Sequence, residues 1–416
     1  MGPLVVPVFL ALFAVQLAVE TGLLALNLRH VRRVRGVPTP LAGQVSDEIA
    51  ARSRAYTLAN GRLALVDGLC SAAATLAVLF SGLLPWLDRA VSARLAGPHR
   101  FVAYLMLLAV GGAALALPFS AWRTFVTETR FGFNRTSLGT WLGDRARSLA
   151  IQVLIGVPVL YAVYGFMRFS GAHWWLWLFA FLVVVQVLLL WAWPTLIAPL
   201  FNRFQPLPEG PLRERLDALA REAGFANRGL FVMDASRRSG HSNAYFTGIF
   251  RPRIVLFDTL VASMSVDEAA SVLAHEIGHY RRHHVHRGLA LSLAGTLVML
   301  FVLSRLVPWP PLYAAFGFDG PSLHAAVALL SLCGGAFVFW LAPLAAQMSR
   351  RHEYEADRYA IALARAPDAL ASALVRLNGE NLSNLHPHPW YSAWHYSHPT
   401  LVERLEAIRA QAAPAG

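Results

Sequence analysis

The chain has 416 residues, 56% of them hydrophobic and only 14% charged, with a mean hydropathy of +0.47. Soluble domains carry about a quarter charged residues, so this balance excludes an ordinary soluble enzyme or binding module and sends the apolar surplus into lipid. The net charge of +12 comes from 36 basic residues, all arginine, against 24 acidic ones. In so apolar a chain it reads as orientation of membrane spans rather than a nucleic-acid surface, and the absence of lysine reads as the mark of a GC-rich bacterial genome.

Crossing the hydrocarbon core takes about 20 apolar residues. Seven segments meet or approach that length: 4–28, 63–87, 101–122, 149–168, 174–198, 288–309 and 324–348. The first is too long for the apolar region of a signal peptide, and the basic run RHVRRVR follows it instead of preceding it. By the positive-inside rule the N-terminus lies outside and residues 29–62 in the cytoplasm. Alternation then puts 123–148, 199–287 and the tail from 349 in the cytoplasm. Arg123, Arg130, Arg135, Arg145 and Arg147 agree with this, whereas Arg89, Arg94 and Arg100 in the outer loop 88–100 run against it. Glu20 and Asp67 fall inside spans. A carboxylate paired within the bundle explains them as well as a functional one does, so they carry no assigned role. Cys70 and Cys333 stand in apolar runs and are too few for a disulfide framework or a thiolate metal site.

The expected fold class is mainly α, a polytopic membrane protein. It divides into a five-span region 1–198, a cytoplasmic insert 199–287, a two-span hairpin 288–348 and a C-terminal segment 349–416. In the insert, PLRERLDALAREAGF has helical spacing, and LFVM (230–233), NAYFTG (243–248) and RIVLF (253–257) read as short strands between Gly, Pro and Ser. Ser265 with Glu268 three residues on fits a capping box, which starts a helix near 266.

That helix carries HEIGH, residues 275–279. His275 and His279 are one turn apart, so both imidazoles leave one face and can share an ion. Glu276, about 100° around the axis, stands beside the ion, where a carboxylate can move a proton between an activated water and a leaving amine. A catalytic zinc keeps one position open and needs one further protein ligand. RRHEYEADRYA (351–361) offers Glu353, Glu355 and Asp357. Glu353 and Asp357 share a helical face, which suits Glu353 as the ligand and Asp357 as a hydrogen-bond acceptor orienting a ligating histidine. Glu355 points the other way and reads as an exposed charge. His283, His284 and His286 read as a solvated or headgroup-facing helix end. A site shifted to His279 and His283 is open by spacing but lacks a placed glutamate.

AHEIGH, then after two spans SRRHEYEAD, resembles the integral-membrane zinc metallopeptidases that include the type I CAAX prenyl protease. ETRFGFNR (128–135), APLFNRFQPLPEG (198–210), DASRRSGHSNAYFTG (234–248), RIVLFDTL (253–260) and YSHPTLVERL (396–405) match the same branch in order. The resemblance implies seven helices around a water-filled chamber, and one zinc per chain held by His275, His279 and Glu353, with Glu276 as general base. It implies His398 beside the zinc as a donor to the oxyanion, and Asn243 on a strand along which extended peptide lies. Arg404 is expected at the substrate. Partners are then membrane lipids and peptide or protein substrates, with or without a lipid anchor, and no nucleic acid. A bacterial inner membrane follows from the composition, and CAAX substrates are not expected there, so the chemistry carries over more firmly than the substrate. The rival reading is a non-cleaving peptide-binding chaperone or adaptor with a structural zinc, for which an intact Glu276 has no use. ETRFGFNR itself has no role readable in the sequence beyond that of a structural clamp near the site.

Overall fold

The computed structural model describes residues 4–225, 229–247 and 253–412. Its membrane region opens with α1 (Val5–Arg33) and α2 (Asp47–Phe80). Ser46 caps α2 by accepting the Ile49 N–H at 3.2 Å, so this helix starts 16 residues before the apolar run and carries the polar stretch DEIAARSRAY. It stops at Gly82, which takes a left-handed φ of +79°, and the short α3 (Leu83–Ser92) follows. The expected span 63–87 is therefore interrupted at its end. Next come α4 (Gly97–Trp122), which contains Pro118 and continues as a π-turn over Arg123–Glu128, and α5 (Leu138–Phe169). α6 (Trp174–Ala192) ends in a second π-turn, Trp193–Ile197. Arg100, at odds with the charge rule, is paired to Asp88 at 2.6 Å, and Asp88 also accepts from His324 at 2.7 Å.

The insert builds β1 (Phe204–Pro206), α7 (Pro211–Glu222), β2 (Leu230–Met233), β3 (Ala244–Thr247), β4 (Arg253–Phe257), α8 (Asp258–Ser263) and α9 (Val266–Arg281). Gly248, expected to finish the β3 strand, lies outside the described residues. The sheet order is β1-β2-β4-β3, with β2 and β4 parallel and the other pairs antiparallel. β3 is thus an edge strand. The chain then forms α10 (His284–Leu306), α11 (Pro310–Ala314), α12 (Leu323–Cys333), α13 (Gly335–Val338) and α14 (Ala342–Ala364). The seventh span is not one straight helix: α12 and the run from Gly335 to Ala364 meet at a 43° bend. At the break, a Cβ on Gly334 would meet the Leu330 carbonyl oxygen. α15 (Pro367–Glu380), α16 (Pro389–His395) and α17 (Leu401–Ala412) close the chain.

Two cores hold this together, and they lie at opposite ends. Phe9, Leu79, Leu84, Phe101, Tyr104, Trp174, Tyr313 and Leu329 pack where α1, α4, α6 and α12 begin and α2 ends. Leu216, Leu219, Ile254, Leu256, Leu273, Ile277, Ala360 and Leu370 pack the sheet, α7, α9, α14 and α15 at the other end. The insert and the C-terminal segment therefore share one core. Between the two ends the spans bury little of themselves, at most 17% of the most apolar window of any of the six long ones, as helices that face lipid do. The loop after α1 docks on α17 through Leu41, Val45, Leu401 and Leu405.

Candidate active site

The capping box forms as the spacing predicts: Glu268 N–H donates to Ser265 Oγ and Ser265 N–H to Glu268 Oε2. α9 then crosses α14 at Gly278, where an added Cβ would lie 3.0 Å from Ala356 Cα and 3.1 Å from its carbonyl oxygen. This close crossing sets His275 and His279 over Glu353. The two Nε2 atoms are 3.1 Å apart, His279 Nε2 is 3.2 Å from Glu353 Oε1, and His275 Nε2 is 3.5 Å from Glu353 Oε2. One ligand atom from each falls within 4.8 Å of the others, a geometry able to hold a metal ion. Ligands on a tetrahedral zinc with bonds of about 2.0–2.1 Å stand roughly 3.3 Å apart, so these separations fit. Glu353 Oε2 is buried and has no short hydrogen bond; its nearest donors, His275 Nε2 and Arg404 Nη1, both stand 3.5 Å away, which leaves it free to accept a further cation.

Asp357 lies behind the cluster, accepting from His275 Nδ1 at 2.8 Å. Arg404 grips it with two prongs, Nε to Oδ2 at 2.9 Å and Nη2 to Oδ1 at 2.6 Å, and sets Nη1 3.5 Å from Glu353 Oε2. Sequence reasoning expected Arg404 at the substrate. Its guanidinium is instead buried and taken up by the two carboxylates, because a fixed fork matches a carboxylate edge. Burial opposes charge on the His275 ring, but its hydrogen bonds to Asp357 and Glu353 outweigh that and lift its pKa to about 9. Protons and a metal cation thus compete for one position.

Glu276 is half-buried and faces β3, where the Phe246 backbone N–H approaches it. Burial raises its pKa above the ordinary carboxylate value, and nearby Glu353 adds to the rise. The pairing of β3 explains the Phe246 contact. Phe257 N–H donates to the Asn243 carbonyl at 3.0 Å, so alternate residues 243, 245 and 247 bond β4 and Ala244 and Phe246 turn their N–H groups to the open edge. The Ala244 N–H is met by Asn243 Oδ1 at 2.8 Å. His398 stands at the rim, mostly exposed, with Nε2 3.4 Å from Glu353 Oε1 and Nδ1 bonded to Ser397 Oγ at 2.9 Å.

Two histidines depart from the sequence expectation, and the partners of the expected ETRFGFNR clamp were not readable in it. His284 is buried, not solvated, and meets both His279 and Glu355. His283 takes a left-handed φ of +58° and turns toward His286, so the shifted site does not form. ETRFGFNR is a clamp on the segment leading into β3: Glu128 accepts from Tyr56 Oη at 2.6 Å and from His241 Nε2 at 3.1 Å, and Phe133 stacks on the His241 ring at 4.0 Å. Asn381, from the end of α15, binds His241 Nδ1 and both backbone groups of Ser242. These links join residues more than 70 positions apart, and local spacing carries no signal for them. Among the described residues, Glu20 accepts a long 3.4 Å bond from Gln16.

A multi-pass bundle capped by an HEIGH helix, with a carboxylate from a following span completing a three-residue cluster, defines an integral-membrane metallopeptidase. Comparison with known proteins agrees. Residues 27–203 match the family described as CAAX prenyl protease N-terminal, five membrane helices, and residues 206–412 match Peptidase family M48. The chain belongs to the CAAX prenyl protease 1 family of metalloendopeptidases. It is 35% identical to the CAAX prenyl protease 1 homolog of Oryza sativa subsp. japonica, over 92% of this chain and 93% of that one. With CAAX prenyl protease 1 of Saccharomyces cerevisiae it shares 35% identity over 89% and 88%, and with the human homolog 32% over 94% and 92%. The crystal structure of S. mikatae Ste24p superposes with a TM-score of 0.90 at 31% identity, covering 96% of this chain and 98% of that one. The protein is therefore a membrane metallopeptidase acting on peptide or protein substrates. The non-cleaving adaptor has no support in these relatives.

Proposed function

We propose that the metal is zinc, held by His275, His279 and Glu353, and that the chain cleaves extended polypeptide lying along the open edge of β3. The observation that carries this is the convergence of those three ligand atoms beside a half-buried Glu276 that faces the edge strand. When bound, zinc acidifies a water to near neutrality and polarises the scissile carbonyl. Glu276 takes the proton of the attacking water and delivers it to the leaving nitrogen, and its raised pKa brings it closer to working pH for both steps. His398 Nε2 donates to the carbonyl oxygen as charge grows there. Asp357 holds His275 in the tautomer that presents Nε2, and Arg404 keeps Asp357 and Glu353 ionised. Asn243 fixes the start of the β3 edge, whose outward main-chain groups bind substrate without reading its sequence.

Functionally we read the chain as the membrane regions 1–198 and 288–348 serving a catalytic unit made of 199–287 and 349–416. We place the site in the cytoplasm, with the N-terminus outside, in a bacterial inner membrane, on the arginine distribution and the absence of lysine. The rice, yeast and human relatives are named CAAX prenyl protease 1 or its homolog. In this chain we favour unmodified, unfolded polypeptide over prenylated peptide, because β-edge binding needs no lipid. The test is zinc per chain together with cleavage of a farnesylated CAAX peptide and of an unmodified unfolded polypeptide, in wild type, Glu276→Gln and His275→Ala. One zinc per wild-type chain, and cleavage lost in both variants, is expected. Full cleavage by Glu276→Gln overturns the mechanism, and exclusive cleavage of the farnesylated peptide overturns the substrate.

A further inference from the structure

His284 opens α10 with only 4% of its side chain exposed, although arginines flank it in the sequence. The left-handed turn at His283 brings this about. On a continuous helix, residue i+5 would lie about 140° around the axis from residue i. Here the reversal folds His284 back beside His279, with the two Nδ1 atoms 3.0 Å apart. Its Nε2 is 3.0 Å from Glu355 Oε2, and its ring stacks on His352 at 4.1 Å and 12°.

One placement of protons satisfies the whole chain of contacts. His279 directs Nε2 at His275 and Glu353, so a lone pair is needed there for a cation and the proton must sit on Nδ1. That N–H donates to His284 Nδ1, which must then be bare. The His284 proton is left on Nε2, where it donates to the Glu355 carboxylate. The opposite placement puts a proton on His279 Nε2, inside the cluster, and closes it to a cation. Glu355 thus decides, two rings away, which face of His279 is open.

We propose that Glu355 and His284 are positioning residues that fix the ligating tautomer and orientation of His279 and so set the affinity for a divalent cation. They serve His279 as Asp357 serves His275. The inference rests on the zinc reading above. Arg287 approaches the same Glu355 oxygen at 3.6 Å, but from a half-exposed position and outside the relay.

The test is zinc Kd on the full-length purified protein, by competition with a chromogenic chelator and without substrate, for Glu355→Leu, Glu355→Gln, His284→Phe, Arg287→Gln and His275→Ala. The melting temperature of each metal-stripped variant and the visible spectrum of each cobalt-loaded one are read alongside. Losing an orienting partner weakens metal binding by about 10–100-fold, and that is the rise in Kd expected for Glu355→Leu and His284→Phe, with a changed cobalt spectrum. Glu355→Gln, which keeps an acceptor for His284 Nε2–H, is expected to lose less, and Arg287→Gln nothing. Should His284→Phe fail to fold, the two Glu355 variants carry the test. A Glu355→Leu protein with Kd within twofold of wild type overturns the relay, even if its melting temperature falls. Zinc binding by His275→Ala as tight as that of wild type overturns the site itself, and the relay with it.

Discussion

Gly278 and Ala356 meet so closely that the α9–α14 crossing has no room for a methyl group: a Cβ on Gly278 would lie 3.0 Å from Ala356 Cα, 3.1 Å from its carbonyl oxygen and 3.2 Å from Tyr359 Cβ. Two of those atoms are backbone and cannot rotate away. Since His275 and His279 sit on one helix and Glu353 on the other, helix separation sets the spacing of the three proposed ligands. Gly278→Ala is expected to cost about 1–3 kcal/mol through overpacking and to weaken zinc retention as well. Melting temperature and zinc content after a chelator challenge check both parts. A variant that loses stability but keeps wild-type zinc would show that the crossing does not set the site.

Arg404 separates two readings of one residue. As a substrate contact its loss raises KM. As the two-pronged partner of Asp357, with Glu353 3.5 Å away, its loss acts on the metal. Arg404→Lys keeps the charge but not the fork, and a 10-fold or greater loss of zinc affinity with KM for peptide unchanged is expected. Arg404→Leu strands buried carboxylates and should cost about 3–5 kcal/mol. In a double-mutant cycle with Asp357→Leu the two losses should be far from additive.

Glu268 gives a pH-dependent stability signal away from the metal. Burial opposes its ionisation, but Ser372 Oγ at 2.6 Å, the Ser265 N–H and Arg376 outweigh it and hold its pKa below the ordinary 4.5. A depressed carboxylate stabilises the fold above its unfolded pKa and loses that contribution as pH falls through the folded one. Glu268→Gln retains the capping box in form. It should therefore melt below wild type at pH 7, by about 1 kcal/mol, and the gap should close below about pH 4.5. A gap that persists unchanged at pH 3 would assign the loss to packing instead of charge.

What could be read from the sequence followed its periodicities. Ser265 with Glu268 located the start of α9, the one-turn spacing of His275 and His279 put two imidazoles on one face, and the shared face of Glu353 and Asp357 turned both carboxylates toward those rings, all of which are local relations on a helix. The misses are non-local or conformational. The polar first half of α2 is helical because Ser46 caps it, which hydropathy does not register. The bend after Cys333 follows from two adjacent glycines within an apolar run. His284 was misread because a left-handed His283 ends the helical register, and Arg404 because a guanidinium and its carboxylates lie 47 positions apart.

His241 ties those non-local links to substrate binding. Its Nδ1 is 3.0 Å from Asn381 Oδ1 and its Nε2 3.1 Å from Glu128 Oε2. The amide of Asn381 is fixed, because its Nδ2 donates to the Ser242 carbonyl. Both ring nitrogens therefore face acceptors, and the ring satisfies them only as the imidazolium. Burial works against this, but the bonds to Glu128 and Asn381 prevail and raise the pKa above 6.5. A histidine with a raised pKa supports the folded arrangement fully below its unfolded value and withdraws that support as pH rises through the folded one. The arrangement in question holds residues 241–243 at the entry to β3, the edge proposed to bind substrate. KM for an unmodified peptide is thus expected to climb on the alkaline side of that pKa, with zinc content constant. In Glu128→Gln, which weakens the hold on the ring, the climb should begin at lower pH. In His241→Gln it should vanish, with KM several-fold higher throughout. A wild-type KM that is flat from pH 6 to 9 would mean that the clamp does not reach the substrate edge.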